Sequence, residues 1–407
     1  MGIIGNSPSI VDLGTSREDL LSYYRQSGYW GTEELARRYA CDLSPCAFLL
    51  SGSRQEELER LGQHTYAAVQ QLNVRLCQIA GSSHIPPRDG HFLRIANAAT
   101  RGLLRPLDQE TAIPPAIKVD MVLGDEGFRI AEVDVYNPRG YGFSAFLEGS
   151  VPESLRGARY PGVSLLSELL KEKGGREWYA VVSHHERFYR ETFAILARAL
   201  APHGIRMGVV DEEALALGRT QIPEGTGVLA IPASLNLHPK VRTELLERRA
   251  AGEIALFYPP VAYLESKAFL PYLRTCEGME EFVPRTHLIG RSIETPDMTG
   301  PLVLKAAVSS GLKGVVFSEL DPIEFSEGVE HARTMRTPSW ILQEQVPQQP
   351  VPLTVFDKSG ERVVRDYYLR FIAYVTAQGI IDVEITARPD PKVHGAPDCV
   401  QIPTVFA

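Results

Sequence analysis

The chain has 407 residues, 44% of them apolar and 23% charged. That is globular composition over a length of two or three domains at roughly 150 residues each, which excludes a collagen-like or wholly disordered chain. Its 42 Lys and Arg stand against 50 Asp and Glu, a net charge of −8, which argues against nucleic-acid backbones as the main partner. No run of about 18 apolar residues occurs, so no membrane span or membrane partner is expected. The opening stretch has no basic region ahead of a long apolar core, so no signal peptide is expected. Asn6 stands where N-myristoylation needs Ser or Thr. Five cysteines, odd in number and scattered, fit a reducing cytoplasm. Cys41 and Cys46 are spaced C-x4-C without a second pair to complete a zinc site.

In chain order, residues 15–80 read as helical. Ser16 can cap a helix over the following REDLLSYYRQ. Leu58, Leu61, Tyr66, Val69, Leu72 and Leu76 recur at helical spacing across 54–80. Ala116–Leu123 and Phe128–Val135 are extended stretches joined by Gly124-Asp125-Glu126-Gly127, a hairpin. From about 176, short β-rich runs alternate with amphipathic helices, which predicts a small parallel α/β layer. After about 276 the chain is β-rich with short connections, which suits antiparallel pairing.

Four constellations could carry chemistry. Asp120 lies on the first hairpin strand. Glu132 and Asp134 lie two apart on the second, so they share a face. Three acidic oxygens there suit Mg²⁺, although a solvated outer face of an antiparallel sheet gives the same pattern. Next, Lys305 ends an apolar strand before a small-residue loop in which Gly311 and Gly314 flank Lys313. Such a loop admits phosphate to backbone N–H groups, while a bare glycine hairpin is the plain alternative. Gln343, Glu344, Gln345 and Val346 end the strand WILQEQVP, which offers backbone to an adenine edge or is simply an edge strand stopped by Pro347. Finally, Arg370 lies within an apolar strand and Arg388 follows. Each could pair locally or bind phosphate or carboxylate.

Together these segments resemble the circularly permuted branch of the ATP-grasp superfamily, its glutathionylspermidine-synthetase-like members above all. Asp120, Glu132, Asp134, Pro138 and Gly140 follow one another at steps of 12, 2, 4 and 2 residues. This is similar to that branch's D-x(11)-E-x-N-x(3)-P-x-G, with Asp134 in place of Asn. Lys118 stands where those members have an arginine near the transferred phosphate. FYPPVAYLESK, ending at Lys267, Val283-Pro284-Arg285-Thr286, and the run from Leu302 to Val316 resemble its middle and nucleotide-binding segments.

The resemblance implies a mixed α+β and α/β fold. An ATP-grasp-like core, circularly permuted, would carry a small parallel α/β insert domain and a helical N-terminal region. The expected divisions are 1–110 (helical), 111–175 (metal-binding part of the core), 176–275 (α/β domain) and 276–407 (nucleotide-binding part). It implies an ATP-dependent ligase that joins a small carboxylate to an amine through an acyl phosphate. ATP would be held by Lys267, Lys305, Gly311, Lys313, Gly314 and the 343–346 strand. Mg²⁺, or Mn²⁺, would be held by Asp120, Glu132 and Asp134. Lys118, Arg370 and Arg388 would be catalytic, with Asn137, Arg139, His184 and His185 toward substrate. The rivals are a phosphotransferase that stops at a phosphorylated product and a catalytically silent nucleotide-binding protein. A dehydrogenase is remote, because Ser183-His184-His185-Glu186 stands where G-x-G-x-x-G would follow the first α/β strand. Substrates and oligomeric state are beyond these residues.

Overall fold

A computed structural model describes residues 9–28, 43–80, 113–135, 140–156, 159–187, 189–232, 238–258, 264, 266–291, 298–309, 313–335, 339–357, 359–393 and 398–407. Asn6, Cys41, Asn137, Pro138, Arg139 and Gly311, singled out above, lie outside the described residues, as does all of 81–110.

In chain order the strands are β1 (Ser9–Asp12), β2 (Cys46–Leu50), β3 (Ala116–Gly124), β4 (Gly127–Asp134), β5 (Glu177–Val182), β6 (Arg206–Asp211), β7 (Thr226–Ala230) and β8 (Ile254–Leu256). Then come β9 (Thr286–Ile289), β10 (Leu302–Ala306), β11 (Val315–Phe317), β12 (Trp340–Glu344), β13 (Val351–Phe356), β14 (Arg362–Thr376), β15 (Gly379–Arg388) and β16 (Val400–Phe406). They form three sheets. The main one has the order β1-β2-β16-β15-β14-β3-β4, with β13 paired to β14. Two four-stranded sheets, β11-β10-β12-β9 and β6-β5-β7-β8, complete the architecture.

Period-two alternation divides the main sheet into two chemically different faces. Val119 and Met121 of β3, Phe371 and Ala373 of β14, and Val383 and Ile385 of β15 are fully buried on one face. The helix Gly52–Ala80 lies over them, with Leu58, Leu61, Val69, Leu72 and Leu76 buried in the same cluster. Each such side chain contributes roughly 1.5–3 kcal/mol on leaving water. The intervening residues of the same strands form a charged face.

The N-terminal region departs from the helical expectation. Ser16 does cap the helix Arg17–Ser27, its hydroxyl accepting from Asp19 N at 3.1 Å, and Gly28 closes it at φ 73°. Cys46–Leu50, however, is a strand, parallel to β16 and antiparallel to β1. A five-residue apolar run has no period of its own, so a partner strand decides its state.

The parallel sheet forms as the alternation predicts, with β5 pairing in parallel to both β6 and β7, and β7 to β8. The β-rich C-terminal part pairs antiparallel except for β16 against β2, and it serves two sheets. β9 to β12 form the smaller sheet, while β14 pairs β3, so strands distant in sequence lie side by side. In the smaller sheet Leu304, Leu342 and Ile289 pack with Ala332 of the helix Pro322–Thr334. Lys305 and Gln343 lie on the opposite face, toward the main sheet.

Candidate active site

The hairpin register pairs Asp120 with Glu132 and Lys118 with Asp134. Arg370 of β14, opposite Val122 of β3, stands on the same face. The face that the sequence spacing predicts is therefore real. Between Glu132 and Ile130 the pairing shifts, so Ala131 is a bulge residue. Its carbonyl, free of the ladder, accepts from Lys305 Nζ at 3.1 Å. This bulge is where the smaller sheet meets the main one, a use typical of bulges near sites.

Four cations converge here. Lys118 Nζ donates to Asp134 and lies 3.4 Å from Asp120 Oδ1. Arg370 Nη2 donates to Asp120 Oδ2 at 2.6 Å. Lys267 Nζ donates to Glu132 Oε1 at 2.7 Å and to the Ser309 carbonyl at 3.0 Å. Lys305 Nζ also donates to Gln343 Oε1 at 2.5 Å, and Gln343 Nε2 donates onward to Thr286 Oγ1 at 2.9 Å. Lys267 sits at the start of a 3₁₀ turn whose backbone is tied to Ala307 by a 2.8 Å bond. It therefore approaches from the smaller sheet's side, as Lys305 does.

Burial opposes ionisation of Asp134, but the Lys118 ammonium beside it holds its carboxyl below the usual range. Burial works against the Lys118 and Arg370 charges too, yet the neighbouring aspartates raise both pKa values. Lys305 has no carboxylate bonded to it, and burial brings its pKa down to about 8. Glu384, buried on the same face of β15, is pushed up to about 8 by burial and by Asp382. Four basic side chains thus face the carboxylates of Asp120, Glu132 and Asp134, while Glu384, with a pKa of about 8, keeps its proton near neutral pH. The cluster carries positive charge in excess. Three of its buried polar atoms have no hydrogen-bond partner: Asp120 Oδ1, Arg370 Nε and Glu384 Oε2. Unsatisfied atoms of this kind in one place point to a polar ligand.

The three predicted metal ligands share a face, but each turns to a different cation. No group of three His, Cys, Asp or Glu among the described residues is placed to hold a metal ion. Asp120 Oδ1 is buried without a hydrogen-bond partner, 3.4 Å from Lys118 Nζ.

The other predicted residues fall elsewhere. Arg388 is tied to Asp398 at 2.8 Å and to the Lys392 carbonyl at 2.8 Å. That places it at the far end of β15, four residues from Glu384, outside the ion pairs of the cluster. Lys313 is exposed ahead of β11. Gly314, at φ 68°, accepts from Ala306 N at 2.7 Å, a turn that suits glycine. β12 is an interior strand between β10 and β9, so the edge-strand alternative does not hold. The N–H groups of Glu344 and Gln345 already donate to the Arg285 and Pro301 carbonyls at 2.8 and 2.9 Å. Glu344 takes both arms of Arg285 at 3.1 and 3.2 Å. Gln343 enters the site through its side chain rather than its backbone. His184 and His185 are exposed in a 3₁₀ turn at the end of β5, on the parallel sheet.

Sequence reasoning missed Glu384, Asp382 and Tyr374. Their signal was present: Asp382 and Glu384 alternate with apolar residues in β15, the pattern that exposed Glu132 and Asp134. Tyr374 hides in an apolar run.

No protein-family model matches the chain, and no curated protein matches it. A solved structure named "Putative gamma-glutamylcysteine synthetase", from Methylobacillus flagellatus KT, is similar at 12% identity and a TM-score of 0.34, over 82% of this chain and 84% of that one. A likeness of that size carries no assignment of fold or activity. Among the described residues no helix is long and apolar enough to cross a membrane.

Proposed function

We propose that the protein is an ATP-dependent carboxylate–amine ligase of ATP-grasp type. It would act on a small, amino-acid-like carboxylate through an acyl phosphate. The observation that carries this reading is the cation cluster between the two sheets, with its excess positive charge and the unpartnered Arg370 Nε. Buried cations in surplus favour an anion of high charge density, and polyphosphate meets that demand.

The cations reach inward from two sides. Lys267 and Lys305 come from the smaller sheet and would hold nucleotide phosphates. Lys118 and Arg370 come from the main sheet and would hold the carboxylate and then the phosphoryl group it receives. Arg370 suits the forked geometry of both, while Lys118 acts as a point charge. Phosphoryl transfer asks the protein for positioning and charge neutralisation more than for a covalent partner. Mg²⁺, or Mn²⁺, would be carried by the phosphates and would neutralise phosphoryl charge; Asp120, Glu132 and Asp134, each engaged by a different cation, are not placed together to hold it. The same carboxylates pair with three of the four cations and fix their positions.

The test is an ADP-release assay with pooled amino acids and polyamines, with mass detection of products. The reading expects ADP formation that requires an amine and yields an amide. ADP with a stable phosphate ester and no need for an amine would favour the phosphotransferase. ATP binding with no turnover would favour the silent protein.

A further inference from the structure

Glu384 lies on the charged face yet takes no part in the ion pairs described above. It is 3% exposed. Across the sheet it pairs with Ile372, and Ile372 pairs with Asp120, so both carboxyls stand in one row with a single strand between them. Tyr374 OH donates to Glu384 Oε1 at 3.2 Å, while the buried Oε2 has no partner. The backbone passes close by at Gly140, where a Cβ would fall 1.3 Å from the Tyr374 hydroxyl and 3.2 Å from Glu384 Oε1. Only a residue without a side chain fits against this pair. The charged and titratable groups acting on Glu384 are Asp382 on its own strand, Lys118 on β3, and Tyr374 and Arg370 on β14.

We propose that Glu384 takes up the ammonium group of the acceptor amine and accepts its proton, an inference that rests on the ligase reading. An ammonium has no lone pair with which to attack. Once the proton passes to Glu384 Oε2, the nitrogen lone pair forms the C–N bond to the acyl carbon. The C–O bond to phosphate then breaks, and phosphate leaves with that electron pair and takes the second proton from the nitrogen, which leaves a neutral amide. The other groups are less suited. Lys118 and Arg370 repel an ammonium. Glu132 and Asp134 are each occupied by a lysine. Asp120 is held by Arg370 and has Lys118 3.4 Å from its second oxygen. Glu384 offers an unoccupied oxygen, and Tyr374 fixes its carboxyl plane. With a pKa of about 8, Glu384 becomes a carboxylate as pH rises toward that value, and in that form it accepts a proton from an ammonium of similar acidity.

The test supplies Mg²⁺, ATP and a pool of the twenty amino acids, with and without hydroxylamine. Hydroxylamine is largely unprotonated at neutral pH and arrives with its lone pair free. In Glu384→Gln the ratio of amide to hydroxamate should fall about 100-fold, the size of a lost general base. The rise of amide formation with pH toward about 8 should vanish with it. A parallel fall of both products, or an unchanged ratio, would overturn the inference while leaving the ligase reading intact. If the unsubstituted protein forms neither amide nor hydroxamate, the ligase reading fails and this inference with it. If Glu384→Gln does not fold, Tyr374→Phe serves instead. It keeps the carboxyl but removes a bond that lowers its pKa, so the rising limb should move to higher pH. An unmoved limb would overturn the inference.

Discussion

Lys305 stands on a β10 face whose other residues are apolar, and it meets a carbonyl and an amide where a carboxylate would be expected. Its pKa of about 8 follows from that burial. Phosphate binds the protonated ammonium, so MgATP affinity should fall as pH rises through about 8. Lys305→Arg stays charged and should flatten the fall. Lys305→Ala should weaken binding by about 1.5–3 kcal/mol, the worth of a charged hydrogen bond. Calorimetry on either side of that pH checks all three, and unchanged affinity in Lys305→Ala would remove Lys305 from the nucleotide site. Glu384 shifts in the other direction. Its folded-state pKa is raised from 4.5 to about 8, so the folded protein keeps a proton that the unfolded chain gives up. The stability this provides is complete below the unfolded value and is lost as pH rises toward about 8. Thermal melts across that window should show the loss in the parent and much less of it in Glu384→Gln. Parallel curves would mean that the carboxyl titrates normally.

At the scale of elements, close backbone approach ties the parallel unit to the main sheet. The helix Tyr141–Ser150 packs against the helix Tyr189–Leu200, and a Cβ at Gly142 would lie 2.1 Å from the Thr192 carbonyl oxygen. That contact is to backbone, which cannot swing aside. Gly142→Ala should therefore cost about 1–3 kcal/mol by forcing the helices apart, read as a lower melting midpoint. An unchanged midpoint would mean that the helices separate freely. The hairpin β3–β4 was legible from its turn and its alternation, and so were the strands and helices of the parallel layer. The bulge at Ala131 was not, because an extra strand residue leaves no mark on composition. The strand Cys46–Leu50 was not either, because its state is set by β16, more than 350 residues away in sequence.

For the whole molecule, the sequence showed that charged residues interrupt apolar strands at Asp120, Glu132, Asp134, Lys305 and Arg370. It could not show which cation meets which carboxylate. Those pairings depend on β14 lying against β3 and on the smaller sheet meeting the bulge of β4, contacts between distant segments. Hence the spacing of Asp120, Glu132 and Asp134 suggests a bare metal triad, whereas in the structure each meets a cation. Lys267 illustrates the gain from the fold: it reaches Glu132 of β4 and the loop after β10 at once. The central claim is that this junction makes an acyl phosphate, and an isotope transfer tests it directly. Amino acids carrying heavy oxygen in their carboxyl groups are supplied with MgATP, and the released phosphate is analysed by mass. The account predicts that one heavy oxygen passes from the carboxylate to each phosphate released in step with amide formation. Amide formation with unlabelled phosphate, or ADP formation with the label retained in the amino acid, would contradict it.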